Sequence, residues 1–147
     1  MKINFTKKEY RQLLDLVYIA NWVMNARNIE KDTKTEKYDE LVQKVYSFAG
    51  EFKFSDLIEF NKQLEGYYPT NKYEMDGDVH QFIDEYDDEC FWESLYQELG
   101  KRDFIEEVGM AEAEKMEPID RFTAINERAD KYSREFEKNG IKNLKII

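Results

Sequence analysis

Cysteine and histidine each occur once in these 147 residues, proline twice and glycine six times. A lone cysteine rules out an internal disulfide and every multi-cysteine metal site. A lone histidine, His80, means that any Ser–His–acid or Cys–His nucleophile would have to use it. Cys90 lies ten residues further on, about 15 Å away if one helix carries both, and reads as a small apolar core residue. The scarcity of glycine and proline leaves few turns marked and favours long helices. Long apolar runs are also missing. The most apolar stretch, "LLDLVYIANWVM" (13–24), is interrupted by Asp15 and Asn21 and is too short to span a bilayer. Basic residues precede it, but no small-residue cleavage site follows, so it does not read as a signal peptide. The expectation is a cytoplasmic protein. No glycine-rich phosphate loop or dinucleotide fingerprint is present.

Positive charge is absent from one long stretch. Between Tyr73 and Gly100 there are ten carboxylates and no lysine or arginine. The chain carries a net charge of −10, and its residues 51–100 hold 14 acidic against 3 basic side chains. Such a field repels nucleic acid and anionic membrane and attracts cations or basic partners.

What is present is a helical, aromatic-rich sequence. Aromatics make up 15% of the chain, which argues against disorder. The length fits one domain, so the expected architecture is mainly α: a single helical domain, residues 1–147, of five to seven helices. Thr6 and Glu9 have capping-box spacing, with Phe5 and Tyr10 placed as a hydrophobic staple, and the first helix should reach about Ala26. Its apolar residues lie nearly all round, predicting a central, buried helix in which Asp15 and Asn21 are buried polar groups. Thr33 and Glu36 open a second helix ending near Ala49–Gly50, with Leu41, Val45 and Phe48 as its apolar stripe. Ser55 should cap a short third helix through about Leu64, closed by Gly66. Residues 66–77 read as a long loop.

Further along, Val79, Phe82, Ile83, Tyr86 and Cys90 share one helical face, whereas Phe91, Trp92, Leu95, Tyr96 and Leu99 share another. An unbroken helix would also set Asp84 against Asp88 and Glu85 against Glu89, each pair costing roughly 0.2–0.5 kcal/mol. Both features predict a break near residues 86–88, with Asp87 or Asp88 capping a new helix that ends by Gly100. On that view the acidic patch marks a helix start. Residues 102–115 should then form another helix with Phe104, Ile105, Val108 and Ala111 inward. Pro118 should open the last helix, whose Ile119, Phe122, Ile125, Ala129, Tyr132 and Phe136 recur at helical spacing. The ends "MKINF" and "IKNLKII" carry strand-forming residues that can pair as a minimal sheet.

The segments "KKEYRQLLDLVYIANWVMNA" (7–26) and "EYDDECFWESLYQELGKRDF" (85–104), about a quarter of the chain, resemble segments of small, uncharacterised bacterial proteins. The resemblance implies a bacterial source and carries no activity or functional residue. By helix count the chain also resembles the all-α nucleotide pyrophosphatases. Glu85 and Asp88 could form the second half of their acidic motif, but no Glu-x-x-Glu precedes them at the needed distance.

Three functional expectations follow. The leading one is a non-enzymatic protein-binding module that turns its acidic middle third toward a basic partner, through Tyr67, Tyr68 and Tyr73 with Asp84, Asp87 and Asp88. A special case is an acidic mimic of nucleic acid that occupies a DNA- or RNA-binding protein. The enzymatic alternative is a metal-dependent hydrolase holding Mg²⁺, Mn²⁺ or Ca²⁺ on Asp76, Asp78, His80 and Asp84. That string does not match an EF-hand loop, because Gln81 stands where glycine is needed.

Overall fold

The first helix starts where the sequence says it should. The Thr6 hydroxyl accepts from the Glu9 backbone N–H, and the Glu9 carboxylate accepts from the Thr6 N–H at 2.8 Å. Those bonds hold the Glu9 carboxyl below its usual range. This is a computed structural model, and it describes residues 3–28, 33–76 and 78–145, apart from the Asp76 side chain. Among them are six helices, α1 (Lys7–Asn25), α2 (Thr33–Ser47), α3 (Asn71–Asp76), α4 (Val79–Val108), α5 (Met110–Lys115) and α6 (Pro118–Asn139). Two strands, β1 (Ile58–Asn61) and β2 (Gly66–Pro69), and a 3-10 turn, Gly140–Asn143, complete the set. The mainly α architecture and its minimal sheet match expectation. The sheet, however, is an internal hairpin. Ile3–Phe5 are not strand and residues 140–143 are helical, while residues 1, 2, 146 and 147 lie outside the described residues.

Contacts cluster into two units, Met1–Asp84 and Glu85–Ile147, whose boundary falls inside α4. In the first unit Tyr10, Leu14 and Tyr18 of α1, Val42 and Tyr46 of α2, Ile58 of β1, Tyr73 of α3, and Val79 and Ile83 of α4 form the core. The expectation that α1 is buried on nearly all sides is corrected along one strip: Gln12, Leu16, Ala20 and Val23 are exposed, whereas the other residues from Tyr10 to Asn25 are buried or half-buried. In α2 the inward residues are Val42 and Tyr46. Leu41 and Phe48, assigned to the inner stripe, are exposed and line an open apolar groove with Val45, Phe5 and Phe52.

Residues 55–69 depart furthest from expectation. Where a third helix ending at Gly66 was predicted, β1 and β2 pair antiparallel, with Phe60 opposite Tyr67 and Asn61 opposite Gly66. The turn is made by Asn61, whose side-chain oxygen accepts from the Gln63 and Leu64 N–H groups, and by Glu65 at φ 50. Local bonding of this kind competes with helix. The free edge of β2 is covered by α2: Gln43 Nε2 donates to the Tyr67 carbonyl at 2.9 Å and Tyr67 N–H donates to Gln43 Oε1 at 2.7 Å. A side-chain amide thereby takes the place of a third strand. The predicted loop 66–77 is β2 and α3. Thr70 joins them, with its N–H on the Leu57 carbonyl, its hydroxyl on the Asp56 carbonyl, and the Tyr73 N–H on its Oγ1.

In the second unit α4 and α6 meet at Gly100 and Ala129, both buried. Phe104 is fully buried beside Arg128, whose guanidinium lies 5.3 Å from its ring centre and also bonds Glu107 and the Ala124 carbonyl. The predicted end of a helix at Gly100 is corrected: α4 runs on to Val108 and stops at Gly109, at φ 83, which an L side chain rarely adopts. Ala113 is buried in α5, whereas Ala111, expected inward, is exposed. Pro118 opens α6 and Gly140 ends it, as read from sequence. Ala129 and Phe136 are buried, but Ile119 and Phe122 are exposed, so only the later part of that periodic stripe is covered.

Asp103 is the one charged side chain in the described core. Its carboxylate accepts from Lys131 Nζ at 2.5 Å, the Tyr132 hydroxyl at 2.6 Å and Arg102 at 2.7 Å. The bonds from Lys131 and Tyr132, and then Arg102, hold the carboxyl well below the usual carboxylate range against the opposing effect of burial. A depressed folded-state pKa stabilises the fold above the unfolded value, about 3.9, and that contribution is lost as pH falls through the folded value. Asp103→Asn should therefore melt below wild type at pH 7, and the gap should close as both are titrated from about pH 4 downward. A gap that stays constant to pH 2 would show that the carboxylate charge is not what matters.

Candidate functional site

Helix α4 continues without interruption from Val79 to Val108, so the predicted break at residues 86–88 is corrected. The expected change of buried face is corrected too: at 100° per residue Val79, Ile83, Gly100 and Phe104 all fall within about 100° of one another, so these buried residues share one side and no break is needed. The six residues from Asp84 to Glu89 between them are all exposed. The like-charge pairs persist. Their cost, about 0.5 kcal/mol each at most, is small for a helix of this length with its ends packed. The acidic patch is therefore the solvent-facing middle of a long helix. It is not a helix N-terminus.

Within this stretch Asp87, Asp88 and Phe91 stand at i, i+3/i+4 spacing and so share a face. Phe91 is 54% exposed. Its ring meets Trp92 edge-on at 5.0 Å, and Trp92 packs against Phe136 at 5.6 Å. The Trp92 indole N–H donates to Asp88 Oδ1 at 3.1 Å, which steadies that carboxylate. Asp84, the last residue of the first unit, is exposed as well. Tyr86 is exposed, and the Cys90 thiol one turn on raises its phenol above the ordinary range.

The three tyrosines assigned with these aspartates go to different places. Tyr73 is 1% exposed, so its assignment to a partner surface is corrected. Its hydroxyl donates to Asp15 Oδ1 at 2.7 Å, Arg11 bonds the same carboxylate, and burial followed by that bond pushes the phenol far up. This answers the question posed by Asp15: a half-buried carboxylate held between a guanidinium and a phenol. Asn21 takes its hydrogen bond within α1, from the Asn25 amide at 2.9 Å. Tyr67 is half-buried and Tyr68 is 37% exposed, and both line a groove bounded by α1, α2 and the hairpin.

The residues considered for a cation lie in the first unit. Asp78 and Asp84 are exposed, and the side chain of Asp76 lies outside the described residues. His80 is half-buried, its Nε2 sharing a hydrogen bond with the Tyr18 hydroxyl at 2.8 Å and its ring meeting Tyr18 edge-on. Among the described residues no three His, Cys, Asp or Glu side chains are grouped to hold a metal ion. His80 and Cys90 stand on the same continuous helix, separated by about 15 Å of rise.

Sequence reasoning missed the tyrosine cluster of the first unit. Tyr10, Tyr18, Tyr46 and Tyr73 are all buried. Burial pushes the Tyr10 phenol up to about 12, and its hydroxyl donates to the Val45 carbonyl at 2.6 Å. Among the described residues the Tyr46 hydroxyl alone is buried without a protein partner. Such a group costs about 1–3 kcal/mol. The spacing of Tyr10, Leu14 and Tyr18 at i, i+4, i+8 carried the signal for α1; nothing local marks Tyr46 or Tyr73 as inward.

No helix among the described residues is long and apolar enough to cross a membrane. No protein-family model, curated protein or solved structure matches this chain.

Proposed function

We propose that this protein is a non-enzymatic binding module that offers the acidic turn of α4, centred on Asp87, Asp88 and Phe91, to a basic protein surface. One observation carries the reading: an aromatic ring more than half exposed, flanked by two exposed aspartates on one face of a continuous helix. Exposed carboxylates alone describe an ordinary solvated face. A large exposed aromatic among them adds the apolar anchor that binding hot spots use, with charge of one sign steering the partner. The hydrogen bond from Trp92 to Asp88 and the packing of Trp92 on Phe136 hold the turn ready, which lowers the ordering cost of association.

The test begins with cross-linking of the intact protein in extract of its source cells, against the Asp87→Asn/Asp88→Asn/Phe91→Ala variant. A partner found this way is purified and titrated. The aspartate changes should slow association and flatten its salt dependence, and Phe91→Ala should weaken affinity about tenfold. If the partner is a nucleic-acid-binding protein, DNA or RNA should compete for it, which would make the module a nucleic-acid mimic. A partner list identical for both proteins would end the proposal.

A further inference from the structure

The groove between α1, α2 and the hairpin is a separate feature. It encloses about 550 Å³, within the range of small-ligand sites. One wall is a row of amides at the end of α1 and just beyond it: Asn28 donates to Asn25 Oδ1 at 3.1 Å, and Asn25 donates to Asn21 Oδ1 at 2.9 Å. The relay ties three side chains into one polar strip. The opposite wall is Asp39 of α2, with Tyr67, Tyr68 and Glu65 from the hairpin. Gln43 also lines it, but both ends of its amide are committed to the Tyr67 backbone, so it fixes the wall and leaves the other residues to meet a ligand. Among the described residues no lysine or arginine lines the groove.

Asp39 sets the ligand class. It is half-buried, and among the described residues it has neither a hydrogen bond nor an ion pair. A carboxylate partly removed from water calls for a counter-charge. With Glu65 at the same groove and no cation among its described lining residues, an anionic ligand such as a phosphate would meet repulsion. A planar cation meets carboxylates, amide oxygens and tyrosine faces, the three groups that bind guanidinium.

We propose that this groove binds a guanidinium or ammonium group on a short chain, with Asp39 as its counter-charge and Tyr68 as its aromatic wall. The inference concerns different residues from the α4 turn and does not rest on that reading.

The probe is argininamide, with citrullinamide as control, both acetylated at the α-amino group so that the side chain carries the only difference in charge, each titrated into the intact protein at pH 7 by calorimetry and by NMR. A ligand of this size fits a dissociation constant on the order of 1 mM. Argininamide should saturate and citrullinamide should not. Asp39→Asn and Tyr68→Ala should each weaken argininamide at least about fivefold. Both side chains are outside the core, and unchanged melting curves will show that the variants are folded. Glu114→Gln/Glu127→Gln, two exposed acids with no part in either surface, should leave the titration unchanged. Absence of saturation, equal binding of citrullinamide, or equal weakening by this double variant would overturn the proposal. The last result would reveal a response to net charge alone.

Discussion

Gly100→Ala should destabilise the protein by about 2 kcal/mol, although Gly100 lies inside a helix, where alanine is favoured by about 1 kcal/mol. A Cβ at this position would sit 2.7 Å from the Ala129 backbone nitrogen and 2.9 Å from its Cα and Cβ. Two of those atoms are backbone of α6, so relief requires one helix to move away from the other. Overpacking of this kind costs about 1–3 kcal/mol and sometimes more, which outweighs the gain in propensity. The loss should appear as a fall in melting temperature of about 4–8 °C. Adding Ala129→Gly should recover only part of it, since that change removes the Cβ contact and leaves the two backbone contacts. A melting temperature that rises with Gly100→Ala would mean the two helices are not in such close contact.

Gln43→Leu should cost roughly 2–3 kcal/mol through a different route. The two bonds between Gln43 and the Tyr67 backbone cover the open edge of a two-stranded sheet. Leucine fills similar space, offers no polar atom and hinders water from replacing the amide. Both the Tyr67 N–H and its carbonyl are then left unpaired in a half-buried position, and an isolated hairpin has little stability to spare. Hydrogen exchange should speed up first in residues 58–69, ahead of global unfolding. Gln43→Glu provides the control. Its carboxylate still accepts from Tyr67 N–H but repels the Tyr67 carbonyl, so the variant should regain stability as it is acidified toward about pH 4. Uniform exchange across both units would assign Gln43 no special role at this edge.

How much of this was legible in the sequence depends on whether the deciding interaction was local. The α1 start was visible because a capping box is written within four residues, and the α6 start because proline suits a first turn. The hairpin was not visible, because "LIEFNKQL" can be read as helix, and the turn depends on Asn61 bonding forward and on Gln43, 24 residues from Tyr67, covering the edge. For α4 the inward positions of Val79 and Ile83 were read correctly, and the two-face reading and the break inferred from it were wrong. Phe82, Tyr86 and Phe91, which set up the apparent change of face, are exposed, and composition alone does not say which aromatics of a helix stay uncovered. Gly100 was read as a helix end for a similar reason: its role is to admit Ala129, 29 positions away. For the candidate surface, Asp84, Asp87 and Asp88 could be read as exposed from charge alone, whereas separating Tyr67 and Tyr68 from the buried Tyr73 required the fold.

The most direct test of the account is a backbone-resolved NMR titration of the intact protein with a short lysine- and arginine-rich peptide bearing one leucine, at low salt. The account predicts helical carbon shifts without interruption from Asp84 to Phe91, and peptide-induced shift changes greatest at Asp87, Asp88 and Phe91. Loss of helical shifts at residues 86–88, or changes confined to other parts of the chain, would contradict it.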